Sequence, residues 1–179
     1  ALDDFWAYNP LDDSWTQKAS FGGTARAGSV GFSIAGKGYI GLGWNHGGVP
    51  LFHNDFWEYD PIYNSWTRRK DFGGTARAYA VGFSIGNKGY AGIGTEDQTT
   101  AEIDFWEYNP QTDQWVRKAD FEGAARAGAA GFSIGDKGYV GTGDGGVLYN
   151  DFWEYDPGTD DWTEKASFGG VARGMAVGF

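Results

Sequence analysis

Bulky aromatic residues alternate with polar ones along four short segments of the chain. These segments read DFWAYNP, DFWEYDP, DFWEYNP and DFWEYDP, and they begin at Asp4, Asp55, Asp104 and Asp151. Alternation with a period of two predicts β-strands, and the Asn-Pro or Asp-Pro pair ends each of them. The segments start 51, 49 and 47 residues apart, and a nearly constant period of this size indicates a repeat architecture.

Each repeat contains three further segments that are typical of strands. A second Trp follows nine residues after the first, an apolar GFSI-type segment follows a glycine-rich turn, and a turn such as Gly-Asp-Lys-Gly leads into a Lys-Gly-Tyr segment. The GFSI segment combines apolar and small residues, which is typical of a strand crowded on both faces. No segment shows a helical period, so the sequence predicts almost no helix.

Length varies in only one connection of the repeat. That connection has 11, nine and seven residues in the three complete copies, at positions 44–54, 95–103 and 144–150. Because neighbouring strands are expected to be antiparallel, it should leave the sheet on the same face as the Phe-Gly-Gly-x-Ala-Arg turns. Loops that vary on a constant scaffold are typical sites of recognition.

The combination of these landmarks resembles the kelch repeat. It consists of the Arg, the apolar strand, a Tyr before a glycine pair, Tyr-Asp-Pro and a Trp at fixed offsets, although the glycines are separated here, as in Gly41-Leu42-Gly43. The resemblance implies an all-β fold, a β-propeller of four-stranded antiparallel kelch blades with the GFSI strand innermost. The sequences of the DFWEYDP and GFSIGDKGY segments are also similar to those of kelch proteins exported by bacteria, and this resemblance implies an extracellular, cell-surface or periplasmic location.

The resemblance covers residues 1–179 as a single propeller domain or segment. Its units are about 1–25 (partial), 26–76, 77–125, 126–172 and 173–179 (partial), so three blades are full and the last unit is a first strand at 175–179. One second strand is missing for four complete blades. The favoured interpretation is a segment of a larger ring, and the alternatives are a partial ring that self-associates and a closed four-blade ring.

Composition and charge exclude several classes of function. With 24 acidic and 14 basic residues the net charge is -10, which repels nucleic acid and anionic membrane surfaces. No stretch approaches the length of a membrane span, so no membrane insertion is expected. The absence of Cys excludes disulfides, thiolate metal sites and a Cys nucleophile.

The residues give little support to catalysis. Some kelch-type propellers are copper oxidases of the galactose oxidase kind, and that resemblance implies a Cys-linked Tyr and two His ligands. This chain has no Cys, and its two histidines, His46 and His53, share one loop. We therefore predict no catalytic residue, no metal site and no cofactor, and we expect that the chain is not an enzyme.

Residues that recur in every copy have a structural interpretation first. The two Trp of each copy are predicted to pack between neighbouring blades, because identical offsets serve a need common to all units. The repeated Arg is predicted to bond carbonyls or an acidic group of the adjacent blade, such as the repeated Asp. The alternative is a ring of Arg that binds an acidic ligand.

The variable loops and the repeated Arg together define the predicted ligand-binding face. The candidates are Trp44, His46, His53, Glu96, Asp97, Asp144, Tyr149, Arg26, Arg77, Arg126 and Arg173. The hypothesis for function is a non-catalytic binding or scaffold module that recognises a protein or a glycan there. The alternatives are a segment of a carbohydrate-acting kelch enzyme whose catalytic residues lie outside this chain, and a purely structural surface repeat. Self-association that completes the ring stays open.

Overall fold

Sixteen β-strands and no helix form the part of the chain that the computed structural model describes, residues 1–47 and 49–178, with only the backbone for 46, 47 and 49. The prediction of an all-β chain is confirmed. The strands are β1 Phe5–Asn9, β2 Ser14–Lys18, β3 Val30–Ile34, β4 Lys37–Gly41, β5 Trp44–Gly47, β6 Val49–Phe52, β7 Phe56–Asp60, β8 Ser65–Arg68, β9 Val81–Ile85, β10 Lys88–Gly92, β11 Phe105–Asn109, β12 Gln114–Arg117, β13 Ala130–Ile134, β14 Lys137–Gly141, β15 Phe152–Asp156 and β16 Asp161–Lys165.

Twelve of these strands form three four-stranded antiparallel sheets, which we call blades. Blade 1 has the order β3-β4-β7-β8, blade 2 the order β9-β10-β11-β12, and blade 3 the order β13-β14-β15-β16. Strands β1 and β2 form a separate two-stranded sheet, called the first sheet below. Strand β9 contacts both β3 and β13, so the GFSI strands lie together along the inner edges of the blades. The predicted four strands per repeat are confirmed in this propeller-like arrangement.

The longest variable connection folds as a hairpin, although no alternation of apolar and polar residues predicts strands there. Strands β5 and β6 pair Trp44 with Phe52 and Asn45 with Leu51. The two shorter connections keep only single bridges, Thr95 with Ala101 and Asp144 with Leu148. Eleven residues can hold two short paired strands, but seven or nine leave room for little more than the turn.

The expected inner strand at 175–179 is not formed in its described part, residues 175–178. None of the described strands pairs with this segment, so it has no hydrogen-bonded ladder. It nevertheless lies where an inner strand belongs, because a side chain on Gly178 would meet Phe132, as one on Gly82 would meet the equivalent Phe32. Phe179 lies outside the described residues.

The core lies mainly between the blades. The second Trp of each blade packs on aromatic residues of the sheet before it, as Trp162 does on Phe105 and Phe121 with ring centroids 5.0 and 5.1 Å apart. The inter-blade packing predicted for the repeated Trp is confirmed for the three blades. Trp6 and Trp15 in the first sheet are exposed, because no described blade precedes them. None of the described strands joins the first sheet to blade 3, so the closed four-blade ring is not formed.

Candidate functional site

Three of the four repeated arginines are held inside the protein by carboxylates. Nη1 and Nη2 of Arg26, Arg77 and Arg126 donate to both carboxylate oxygens of Asp55, Asp104 and Asp151, respectively, and Nη1 also donates to the carbonyl of Leu42, Ile93 or Thr142. The Arg side chains are only 3%, 1% and 0% exposed. They are therefore fixed parts of the scaffold and do not reach the loop surface.

The predicted partners, carbonyls and the repeated Asp, are confirmed, but the Asp lies in the same blade as its Arg, so the predicted placement in the adjacent blade is wrong. Each Arg precedes the first strand of a blade, and its Asp precedes the third strand. Burial raises the pKa of Asp55, but hydrogen bonds from Arg26 and Trp57 outweigh it and hold that pKa below its ordinary value. The same balance with Arg126 and Trp153 lowers the pKa of Asp151. The pair thus joins the loop face of a blade to its own third strand.

A line of main-chain hydrogen bonds crosses from blade to blade beside the inner edges. Its members are the residues two positions after each repeated Arg: the N–H of Tyr79 donates to Gly28, that of Gly128 to Tyr79, and that of Met175 to Gly128, at 2.8–2.9 Å. All four have a φ between +56° and +64°. This left-handed region favours glycine, so a Tyr and a Met there are departures from the repeat that need an explanation.

The residues that follow each Gly-x-Gly lie next to this line. Trp44, Thr95 and Asp144 occupy equivalent places, and each pairs by main-chain bonds with the Ala after the repeated Arg, at 2.8–2.9 Å. The shared face predicted for the variable loops and the Arg turns is thereby confirmed. One structural position therefore carries an indole, a hydroxyl and a carboxylate in three successive blades.

A groove of about 670 Å³ opens between these two sets of residues. The indole N–H of Trp44 donates to the hydroxyl of Tyr79 at 3.0 Å. The hydroxyl of Thr95 is buried without a hydrogen-bond partner among the described residues. The groove is lined chiefly by Trp44, Tyr79, Thr95, Gln98, Asp144 and Met175. We call it the loop-face groove.

The structure places the other predicted site residues apart from this groove. His53 is partly buried, and its pKa is lowered by burial and by Arg26. Asp97 accepts hydrogen bonds from the N–H groups of Thr99 and Thr100 within its own turn, and these lower its pKa to about 2. The guanidinium carbon of Arg126 lies 4.0 Å from the ring centroid of Tyr149, so the two side chains stack.

The remaining candidates differ in burial and in their partners. Glu96 is partly buried at the start of its loop. Arg173 is exposed, and no described carboxylate pairs with it. The side chain of His46 lies outside what the structure describes. Of the predicted site residues, the structure brings only Trp44 and Asp144 together in the loop-face groove.

Sequence reasoning missed Tyr79, although a signal for it was present. The equivalent positions hold Gly28 and Gly128, so Tyr79 is a substitution at a place where the repeat otherwise favours glycine. Variation in loop length does not indicate this residue, because Tyr79 lies in the Arg turn and not in a variable connection. Departures from a repeat are where recognition can be added without changing the scaffold.

Neither a metal centre nor a membrane span is found in the described part of the chain. Residues 1–47 and 49–178 contain no group of three or more His, Cys, Asp or Glu side chains arranged to hold a metal ion. The same residues include no helix of the length and apolar character needed to cross a membrane.

Comparison with solved structures bears on the fold. One match is a structure titled "Structure of YjhT", with a TM-score of 0.80, 20% sequence identity, and coverage of 95% of this chain and 61% of that chain. The chain is similar to YjhT in fold. At this identity the likeness carries no information on function, and the chain spans only 61% of the length of YjhT. No protein-family model matches the sequence, and neither does any curated protein.

Proposed function

We propose that this chain is a kelch-type propeller segment that acts as a non-catalytic binding module and holds its ligand in the loop-face groove. The observation that carries the proposal is the contrast between repeated and non-repeated residues. The Arg–Asp pairs and the packed Trp recur in each blade, but the groove is lined by residues that differ at equivalent positions. A purely structural repeat has no need of this difference.

The chemistry of the groove favours a glycan over an anionic ligand. Trp44 and Tyr79 supply aromatic rings, which pack well against the apolar faces of sugars. Thr95, Gln98 and Thr99 supply neutral groups that can donate and accept hydrogen bonds, as sugar hydroxyls require. Asp144 adds a carboxylate that repels anions and accepts from hydroxyl groups. A loop of a partner protein with neutral or basic side chains is the second candidate ligand.

Screening on a glycan array, followed by calorimetry with the best neutral oligosaccharide, tests this proposal. Tyr79→Gly restores the residue found at Gly28 and Gly128, so it relieves backbone strain while it removes one aromatic wall. We expect it to fold and to weaken binding about tenfold or more. Trp44→Ala should act in the same direction.

The matched control is Tyr63→Ala, because Tyr63 is an exposed aromatic residue in the turn between β7 and β8, away from the groove. It should leave affinity unchanged. Equal affinity in the wild type, Tyr79→Gly and Trp44→Ala would show that the loop-face groove is not the binding site.

A further inference from the structure

Blade 3 presents an apolar face that the described chain covers only at its inner edge, where residues 175–178 lie against Phe132. A cavity of about 800 Å³ lies on it, lined by Phe132, Phe152, Ala166 and Phe168. Phe168 is 46% exposed, whereas its equivalents Phe72 and Phe121 are 4% and 2% exposed. The face is thus built like the covered faces of the sheets before it, but without its cover. We call it the blade 3 socket.

The three covered faces show what such a socket accepts. In each, a Trp of the following blade inserts between two Phe residues: Trp66 between Phe5 and Phe21, Trp115 between Phe56 and Phe72, and Trp162 between Phe105 and Phe121, with centroids 5.0–5.2 Å apart.

The same contact carries polar bonds. The indole N–H donates to the carbonyl of Ala19, Lys70 or Ala119, and the N–H of that residue donates to Asn64, Asp113 or Asp160 of the following blade. In the blade 3 socket the equivalent residues are Phe152, Phe168 and Ala166.

The first sheet carries the matching groups on its outer side. Trp15 is 65% exposed and occupies the position of Trp66. Asp13 has a φ of +51°, as Asn64 has +50°, so its carboxylate is placed in the turn as the amide of Asn64 is. The groups that would fill the socket are therefore present and uncovered at the other end of the same chain.

Charge complementarity supports the match independently. Arg173 is held as the buried arginines are: its Nε donates to the carbonyl two residues earlier, and its guanidinium lies 5.1 Å from the ring of Phe168. It lacks the carbonyl that accepts from Nη1 in the blades, and it lacks the carboxylate, which in each blade comes from the Asp before the third strand. In the first sheet that Asp is Asp4, which is exposed and bonded to Trp6 but to no Arg.

We propose that the blade 3 socket binds the first sheet of a second copy of this chain. Trp15 of one copy inserts between Phe152 and Phe168 of the other, and Asp4 pairs with Arg173. The composite blade then has residues 175–178 as its inner segment and β1 and β2 as its outer strands. In the three blades, the carboxylate of a Glu in the third strand accepts a hydrogen bond from the hydroxyl of a Tyr in the second strand. The first sheet carries Ala7 there, so the composite blade has no third-strand carboxylate that needs a Tyr partner.

The composite blade consists of three segments where blades 1 to 3 have four strands, so its contact area is smaller than that of the covered faces. We therefore expect a dimer that dissociates on dilution, and we expect two identical contacts in it because each copy has one socket and one first sheet. Light scattering after size exclusion, over a series of protein concentrations, measures the dissociation constant.

Two single changes test the contact itself. Trp15→Ala should weaken the dimer about 30-fold or more, because a central Trp anchor is lost from both contacts. Tyr63→Ala, another exposed aromatic residue, should not change it. A wild-type chain that stays monomeric at all concentrations, or a Trp15→Ala variant that dimerises as the wild type does, would overturn the proposal.

A charge exchange tests the pairing of the two copies. Asp4→Arg and Arg173→Asp each place like charges opposite one another and should abolish the dimer. The double variant restores an Arg–Asp pair in the reverse sense and should regain dimerisation. Both residues are exposed in the single chain, so circular dichroism should show that every variant folds. A double variant as monomeric as the single ones would exclude this register.

Discussion

At the scale of single residues, the Arg–Asp pairs explain why Phe-Gly-Gly-x-Ala-Arg recurs. Nη1 and Nη2 of Arg77 bind both oxygens of Asp104, the Nη2 to Oδ2 distance being 3.0 Å, and a carbonyl of the same blade takes a further bond. The indole N–H of Trp106 donates to the same carboxylate. A buried charge is tolerated because nearly all of its hydrogen-bonding groups are satisfied, and removing one partner leaves the other uncompensated.

The lowered pKa values of Asp55 and Asp151 predict a loss of stability in acid. A carboxylate whose folded-state pKa is lowered contributes stability that is fully present above its ordinary pKa, near pH 3.8, and is lost as the pH falls through the folded value. We expect the urea midpoint to fall as the pH is reduced below about 4. Protonation of exposed carboxylates relieves the repulsion from the net charge and acts in the opposite direction. Asp151→Asn should therefore show a lower midpoint at neutral pH and a shallower fall than the wild type, and equal slopes would contradict the prediction.

At the scale of strands, every blade carries the same aromatic pattern, and packing against the neighbouring sheet determines how much that pattern contributes to stability. The Phe of the third strand packs on a Tyr in its own blade and on the Tyr and Trp of the next blade, as Phe105 does with Tyr90, Tyr155 and Trp162. These edge-to-face and stacked contacts add to the apolar area that is buried. Each blade is thus stabilised largely through its neighbours.

Two Trp at equivalent positions allow a matched test of this dependence. Trp162 is 3% exposed and Trp15 is 65% exposed. Trp162→Ala should reduce the free energy of unfolding by about 3–5 kcal/mol, because it leaves a cavity between blades. Trp15→Ala should cost about 0.5 kcal/mol or less in the monomer. Urea denaturation at a protein concentration where the chain is monomeric compares them, and similar losses would show that the packing between blades does not set stability.

The sequence predicted the strands and blade packing well, and the site only in part. Strand periodicity and the repeat are local or regular signals, so β7 or β11 can be read without knowing the fold. The partner of each Arg depended on which third strand shares its blade, and that is a matter of topology. The loop-face groove depended on Tyr79, whose importance becomes visible only when its left-handed φ and its hydrogen bond to Trp44 are known.

At the scale of the whole molecule, position in the array matters as much as sequence. Strands β3 and β9 have the same sequence, VGFSI, and β13 differs from them by one residue. Yet the final Ile is 2% exposed in β3, 8% in β9 and 61% in β13. Blade 2 has a neighbouring sheet on both faces, whereas among the described residues blade 3 has one on a single face. In an array of this kind, stability depends on the interfaces between neighbouring units.

Amide hydrogen exchange should report this gradient directly. The GFSI residues common to the three inner strands have closely similar intrinsic exchange rates, so differences in protection measure the surroundings of each strand. In dilute solution we expect β9 to exchange more slowly than β13, because β9 packs between two paired inner strands, whereas β13 has one on a single side and only the unpaired segment 175–178 on the other. At high concentration, a second copy in the blade 3 socket should slow β13 and leave β9 unchanged. Equal protection of β9 and β13 in the monomer would contradict the neighbour-dependent account, and a β13 rate independent of concentration would count against the dimer.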